Sequence, residues 1–270
     1  MAIQPSPDSA IRLCDLVFPQ QTNHQGSLFG GTAMAHMDKV AFLVAARHAR
    51  RPFVTASSDK IEFRAPARLG HLLELTGQVR MVGHHSLSVR VQLDAEDMLT
   101  GERHRCTEGE FVMVAADRKE NPAALPPVPR TRLPELDPSN GASRMVEIIF
   151  PGDTDHLGRL YGGGAMDRMG KAAVIAAYRH ARMNVTMAAS DRISFEKPAH
   201  EGEMIDLHSE VIDVGRTSMR VGVQMDAENL MSGDRRTVAR AEFVTVAVDE
   251  NGKPSPAPGL MTRRKNVAAS

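Results

Sequence analysis

This chain of 270 residues has only two cysteines, no excess of charge of either sign, and no apolar run near the ~20 residues that a membrane-spanning helix needs. Each shortage removes a class of explanation. Lys plus Arg and Asp plus Glu both number 33, so the formal net charge is zero and nucleic acid is not expected as the main partner. The opening MAIQPSPDSA lacks the charged start and apolar centre of a signal peptide. With neither leader nor span, a cytoplasmic location is expected.

What the chain has instead is itself, twice. Phe18-Pro19 returns as Phe150-Pro151 at an offset of 132 residues, Gly30-Gly31 as Gly162-Gly163, and Arg47-His48-Ala49-Arg50 as Arg179-His180-Ala181-Arg182. Ile61, Phe63 and Pro66 return as Ile193, Phe195 and Pro198, Asp94-Ala95-Glu96 as Asp226-Ala227-Glu228, and Glu110-Phe111-Val112 as Glu242-Phe243-Val244. A register this long marks a duplicated domain. It sets the organisation as a first domain at 1–122, a linker at 123–143, a second domain at 144–254 and a tail at 255–270. Pro126, Pro127, Pro129, Pro134 and Pro138 make the linker an extended spacer, and the Pro-rich tail is not expected to pack. Cys14 and Cys106 face Val146 and Val238 in the other half. They read as small buried hydrophobes, not a disulfide or metal pair, and no metal site is expected.

Both halves repeat one order of elements. A strand at 13–18 is followed by a polar, glycine-punctuated loop at 20–31, then by a helix on which Met34, Met37, Ala41, Phe42 and Ala45 recur at three- and four-residue steps. Arg47 and His48 suit its C-terminus, as solvated basic residues. Strands are expected at 55–63, 71–81, 86–94 and 104–115, separated by turn residues at Gly70, Gly83 and Gly101. The class is α+β, with a central helix wrapped by an antiparallel sheet.

Chemistry concentrates where the loop meets the helix. Gly30 and Gly31 allow close backbone approach, and free N–H groups at a helix start can bind a developing oxyanion. Asp38 shares the apolar side of the helix, where a carboxylate is costly unless it is paired or functional. A structural aspartate bonded to nearby backbone is the plainer alternative.

The run Asn-x-x-Gly-x-x-Phe-Gly-Gly from Asn23, the following Met-x-x-Met-Asp, and Ser-Asp-x-Ile-x-Phe-x-x-Pro from Ser58 together resemble the cytosolic acyl-CoA thioesterases of the hotdog fold. The tandem arrangement is similar to the two-hotdog acyl-CoA hydrolases. The resemblance implies paired hotdogs with acyl-CoA lying between the helix of one and the loop of the other. It implies Asp38 as base or nucleophile and a loop asparagine that orients water or the thioester carbonyl. Hydrolysis of fatty acyl-CoA to fatty acid and CoA would need no cofactor, CoA being part of substrate and product. Related tandem proteins associate, so a homo-oligomer is expected: an internal hotdog pair, and trimers of such pairs.

The halves also diverge. Asn23 corresponds to Asp155 and Asp38 to Gly170, so at most one competent site per chain is expected. If a site combines the helix of one half with the loop of the other, Asp38 meets Asp155, and one of two neighbouring carboxylates holds a proton. The alternative lets Asn23 serve Asp38 within half one. His24 and His156 occupy matching loop positions and read as substrate-lining. The hairpin Gly215-Arg216-Thr217-Ser218 and its counterpart Gly83-His84-His85-Ser86 are candidates for CoA phosphate contacts. Two other functions fit the same residues: a hotdog enoyl-CoA hydratase or dehydratase, and a non-catalytic acyl-CoA-binding regulator.

Overall fold

The structure, a computed structural model, describes residues 10–59, 61–128 and 142–259. Half one runs β1 (Ile11–Leu16), α1 (Gly30–Ala49), β2 (Phe53–Ser58), β3 (Leu72–Val82), β4 (Ser86–Glu96) and β5 (Arg103–Ala115). Half two repeats it as β6 (Ser143–Ile148), α2 (Gly162–Ala181), β7 (Asn184–Phe195), β8 (Met204–Val214), β9 (Ser218–Glu228) and β10 (Arg235–Val248). Each half is an antiparallel five-stranded sheet, in the orders β1-β3-β4-β5-β2 and β6-β8-β9-β10-β7. The α+β class and the hotdog layout follow: one long helix lies across the concave face of each sheet.

The helices seat because the sheet yields space beneath them. A Cβ on Gly77 of β3 would stand 2.5 Å from Val40 Cγ1 and 2.9 Å from Val44 Cγ2, so only glycine admits these two valines. Half two solves the same contact differently. Ser209 replaces Gly77, Ala172 replaces Val40, and the Ser209 hydroxyl donates to the Ala172 carbonyl at 2.9 Å. Met37, Val40, Ala41 and Val44 of α1 are fully buried, as are Met169, Ala172 and Ala173 of α2.

The two cores interlock. Val146, Ile148, Met204 and Leu230 of half two pack into the core of half one, while Cys14, Leu72 and Met98 pack into that of half two. Both cysteines are free and buried, and burial pushes the Cys14 thiol up to about 12. Strand β1 lies against β6.

The basic helix ends are not solvated. Arg47 Nε and Arg50 Nη1 donate to Glu228 Oε1 in the other half, at 3.2 and 2.7 Å. Arg179 reciprocates with Glu74 and Glu96, at 3.0 and 2.9 Å, and Arg182 with Glu96 at 2.7 Å. Arg50 and Arg182 end their helices in the left-handed conformation, φ 54° and 51°, which turns the guanidinium across the interface. There it lies against the turn glycine of the other half, Gly233 or Gly101, where a Cβ would come within 3.0 or 3.1 Å. A helix-dipole reading was available from sequence; the buried carboxylates were not.

Two further differences from the sequence expectation have local causes. Strand β2 stops at Ser58, because Ile61 drops onto Gly109 of β5, where a Cβ would lie 2.9 Å away. Half two has Ala241 there, and β7 runs on to Phe195 with Ile193 opposite Ala241. The beginnings of the linker and tail also pack. His48 Nε2 bonds the Pro126 carbonyl at 3.0 Å and His180 Nε2 the Pro258 carbonyl at 2.8 Å, and Leu125 is buried in the core of half one. The rest of the linker, 129–141, and of the tail, 260–270, lies outside the described residues.

Candidate active site

The loop before α1 is a tight hairpin built on Asn23. Its carboxamide oxygen accepts from the Gln25 N–H at 2.9 Å and the Ser27 N–H at 3.3 Å, and its Nδ2 donates to Ser27 Oγ at 3.1 Å. Gly26, φ +71°, makes the reversal. The chain then enters α1 through Phe29, and no side chain caps the helix. Glycine is sterically required at Gly31, where a Cβ would lie 2.6 Å from the Phe29 ring, whereas one on Gly30 would make only ordinary contact with Phe63 at 3.5 Å. The first-turn N–H groups are therefore uncovered by side chains, and a helix start presents such donors to an anion. Asn23, Ser27, Gly30, Phe63 and Arg64 line a cavity of about 330 Å³.

Half two keeps the hairpin and changes its chemistry. Asp155 accepts from the Leu157 and Arg159 N–H groups at 2.8 and 3.1 Å, and Arg159, which stands where half one has Ser27, grips its other oxygen at 2.9 and 3.1 Å. These bonds hold the Asp155 carboxyl down at about 2, with Arg159 supplying the dominant backbone and side-chain donors. Asp155 is ionised at neutral pH. It therefore does not donate a hydrogen bond as a protonated acid, which corrects the sequence expectation. With Arg159, Gly162 and Phe195 it lines a cavity of about 390 Å³.

Asp38 sits two turns along α1, half-buried, and accepts a hydrogen bond from Thr55 Oγ1 of β2 at 2.6 Å. Thr55 escaped the sequence reading, although the signal was present. Its counterpart at the repeat offset is Met187, a third loss beside Asn23 to Asp155 and Asp38 to Gly170. In half two the vacated space is filled: a Cβ on Gly170 would lie 3.1 Å from Met187 Cε.

The structure gathers some of these residues and separates others. Asp38 follows Gly30 by eight positions, so at 1.5 Å per residue the helix-start donors are about 12 Å from it along the axis. They do not converge on one carbonyl with it. Asn23 and Asp155 each bond within their own turns, not to Asp38. The helix also has sides. Lys39 lies over the Phe150 ring of half two at 5.9 Å, and Arg47 and Arg50 reach Glu228. At 100° per residue Asp38 points roughly 140° away from that direction. His24 and His156 are exposed. The hairpins at 83–86 and 215–218 close at the other end of the fold: the His84 carbonyl binds Leu125 N and the Arg216 carbonyl binds Ala257 N, beside the helix C-termini. Arg216 itself is exposed.

The chain matches the model of the thioesterase superfamily twice, at residues 25–102 and 157–233. A solved acyl-CoA hydrolase from Agrobacterium tumefaciens is 41% identical, with a TM-score of 0.81, over 92% of this chain and 97% of that one. The cytosolic acyl coenzyme A thioester hydrolase of Rattus norvegicus is 23% identical over 96% of this chain and 80% of its own length. An uncharacterised acyl-CoA thioester hydrolase of Bacillus subtilis is 39% identical over 42% of this chain and 66% of its own. Together with the duplicated fold, these matches show that the chain belongs to the thioesterase superfamily, as a tandem hotdog member with one matched unit in each half.

Proposed function

We propose that this chain hydrolyses acyl-CoA thioesters, with fatty acyl-CoA as the substrate class and the free acid and CoA as products. The observation that carries the reading is the Asp38–Thr55 pair. Thr55 donates to one carboxylate oxygen and fixes its orientation, which leaves the other oxygen to accept a proton from water. The activated water adds to the thioester carbonyl, and the C–S bond breaks as the tetrahedral oxyanion collapses and the carbonyl re-forms. The departing thiolate takes up the proton held by Asp38. A thiol of pKa about 8.5 is a good enough leaving group for this to need no separate strong acid. Every step runs on the chain's own groups, with no metal or organic cofactor in the proposed scheme. The named activities of the relatives support the substrate class, and the cytosolic relatives support a cytoplasmic location.

The test is a thioester panel of short, medium and long acyl-CoA with free CoA as the readout. Asp38→Asn, which keeps the volume but not the basicity, is expected to lower kcat by about 10² or more, and Thr55→Val by a smaller factor with the fold intact. Wild-type protein that releases no CoA from any member, or an Asp38→Asn variant with full turnover, overturns the reading. Enoyl-CoA in the same panel separates hydrolysis from hydration by product.

A further inference from the structure

Away from Asp38, the halves part company at a second set of matched positions, on the turns that lead into β3 and β8. In half two Glu203 is fully satisfied: its carboxylate accepts from Arg236 Nη1 and Nη2 at 2.8 and 2.6 Å, and from the His200 N–H at 2.8 Å. In half one both members of that ion pair are imidazoles. His71 replaces Glu203 and His104 replaces Arg236, with ring centroids 5.9 Å apart. His104 Nε2 still bonds the Pro66 carbonyl at 3.0 Å, as Arg236 bonds that of Pro198. His71 is left over. Its Nε2 stands 4.0 Å from Asp97 Oδ2, and its Nδ1 is closed off from water without a hydrogen bond. A buried polar atom in that state calls for a partner that the chain itself does not supply.

His71 lines a cavity of about 430 Å³ where the halves meet. Leu16, Phe18, Met98 and Leu99 of half one and Tyr178 of half two give it apolar walls, and Arg68, Asp97 and Asn184 bring polar groups. Arg68 is exposed and makes no ion pair or side-chain hydrogen bond among the described residues. Asp97 is committed to its own turn, where Oδ1 accepts the Leu99 and Thr100 N–H groups at 2.8 and 2.9 Å. One unpaired guanidinium and one unpartnered imidazole nitrogen beside apolar walls suit an anion with an apolar tail. Half two is built against such a ligand. Glu201 and Glu203 stand where half one has Leu69 and His71, and Ala46 and Pro52 stand where the cavity has Tyr178 and Asn184.

We propose that this cavity binds a free fatty carboxylate, with the head group between Arg68 and His71 and the chain along Phe18, Met98 and Tyr178. The choice of ligand rests on the hydrolase reading, which makes such an acid the product, whereas the cavity and its unpaired groups stand without it. Asp38 points away from half two, so the acid bound between the halves does not occupy the place of the thioester.

Calorimetric titration of the full chain with decanoate, in the presence of a saturating non-hydrolysable acyl-CoA analogue, tests this. One decanoate per chain is expected, with decanol and decylammonium at least about tenfold weaker. Arg68→Glu, and Leu69→Glu, which installs the residue of half two, are each expected to weaken decanoate by about tenfold or more without moving the melting temperature. The chain has two tyrosines and no tryptophan, so Tyr161→Phe leaves Tyr178 as the lone fluorophore, and its emission is expected to change with decanoate. Absent decanoate binding, decylammonium bound as tightly, a silent Tyr178, or an affinity unmoved by both substitutions overturns the proposal. If thioesters are still hydrolysed in that case, the hydrolase reading stands. A chain that binds decanoate through Arg68 but is inert toward every thioester does the reverse.

Discussion

At the scale of single residues, the sharpest contrast is between Asn23 and Asp155, which fill one position of the repeat and one place in the hairpin. Both accept two backbone N–H groups, and the difference lies four residues on: Ser27 offers one hydroxyl, which accepts from the Asn23 amide, whereas Arg159 supplies a bidentate cation. A carboxylate so bound is charged across the working pH range. Its folded-state pKa of about 2 lies below the ordinary aspartate value, so its contribution is in place above about pH 4 and is lost as pH falls through the folded value. Asp155→Asn is therefore expected to leave the acidic limb of a kcat profile between pH 4 and 7 unchanged. A limb that shifts by a unit in that variant would restore a proton-sharing role for Asp155. The cysteines belong to the same scale. Burial raises both thiols, Cys14 to about 12 and Cys106 to about 11, and neither is a nucleophile in the folded protein.

At the scale of elements, the two helices show what becomes of a site when its residues change together. Gly170 is not an empty version of Asp38, because Met187 has moved into the space where the Asp38 and Thr55 side chains meet in half one. Gly170→Asp alone is expected to displace the exposed end of Met187 at little cost in stability and to create no hydrolysis, since it restores the carboxylate without the hydroxyl that orients it. Adding Met187→Thr is expected to rebuild the hydroxyl–carboxylate pair, and a double-mutant cycle of thermal melts will read their coupling as a departure from additivity. Much of the element level was legible in the sequence. The repeat gave both halves, the three- and four-residue spacing gave the helices, and the turn glycines placed the strands to within a few residues. Thr55 was legible too, had the offset been applied to the strand as it was to the helix. The side of the helix on which Asp38 lies was not. Periodicity separates buried from exposed, but it cannot say which exposed flank meets a second domain. Nor could it tell Arg47 at a solvated helix end from Arg47 on a buried carboxylate, since the same residue suits both.

At the scale of the whole molecule, the halves are joined by charge buried within apolar packing. Glu228 is almost inaccessible, receives Arg47 and Arg50 from across the interface, and is reciprocated by Glu96 with Arg179 and Arg182. Such clusters add little net stability over a well-packed apolar interface, but removing one partner strands the other charge without water. Glu228→Ala removes the one carboxylate that Arg47 and Arg50 share, leaving two buried guanidinium groups without it, and is expected to cost about 3–5 kcal/mol. Because Leu230 and Met204 of half two are built into the core of half one, and Cys14 and Leu72 of half one into that of half two, the loss should not be confined to one domain. Urea unfolding of both the wild type and the variant is expected as one transition, displaced as a whole in the variant. Acid acts on the same interface. Glu74 is pushed up by burial but pulled further down by Arg103, Arg12 and Arg179, so its folded-state pKa lies below the usual glutamate value. Its stabilisation is complete above that usual value, about 4.3, and is withdrawn as pH falls below it through the folded value. Glu74→Gln should therefore lower stability near pH 7 and flatten its fall below pH 4. Two separate unfolding transitions, one for each half, would show instead that the arginine clusters dock two independent domains and do not weld them into one.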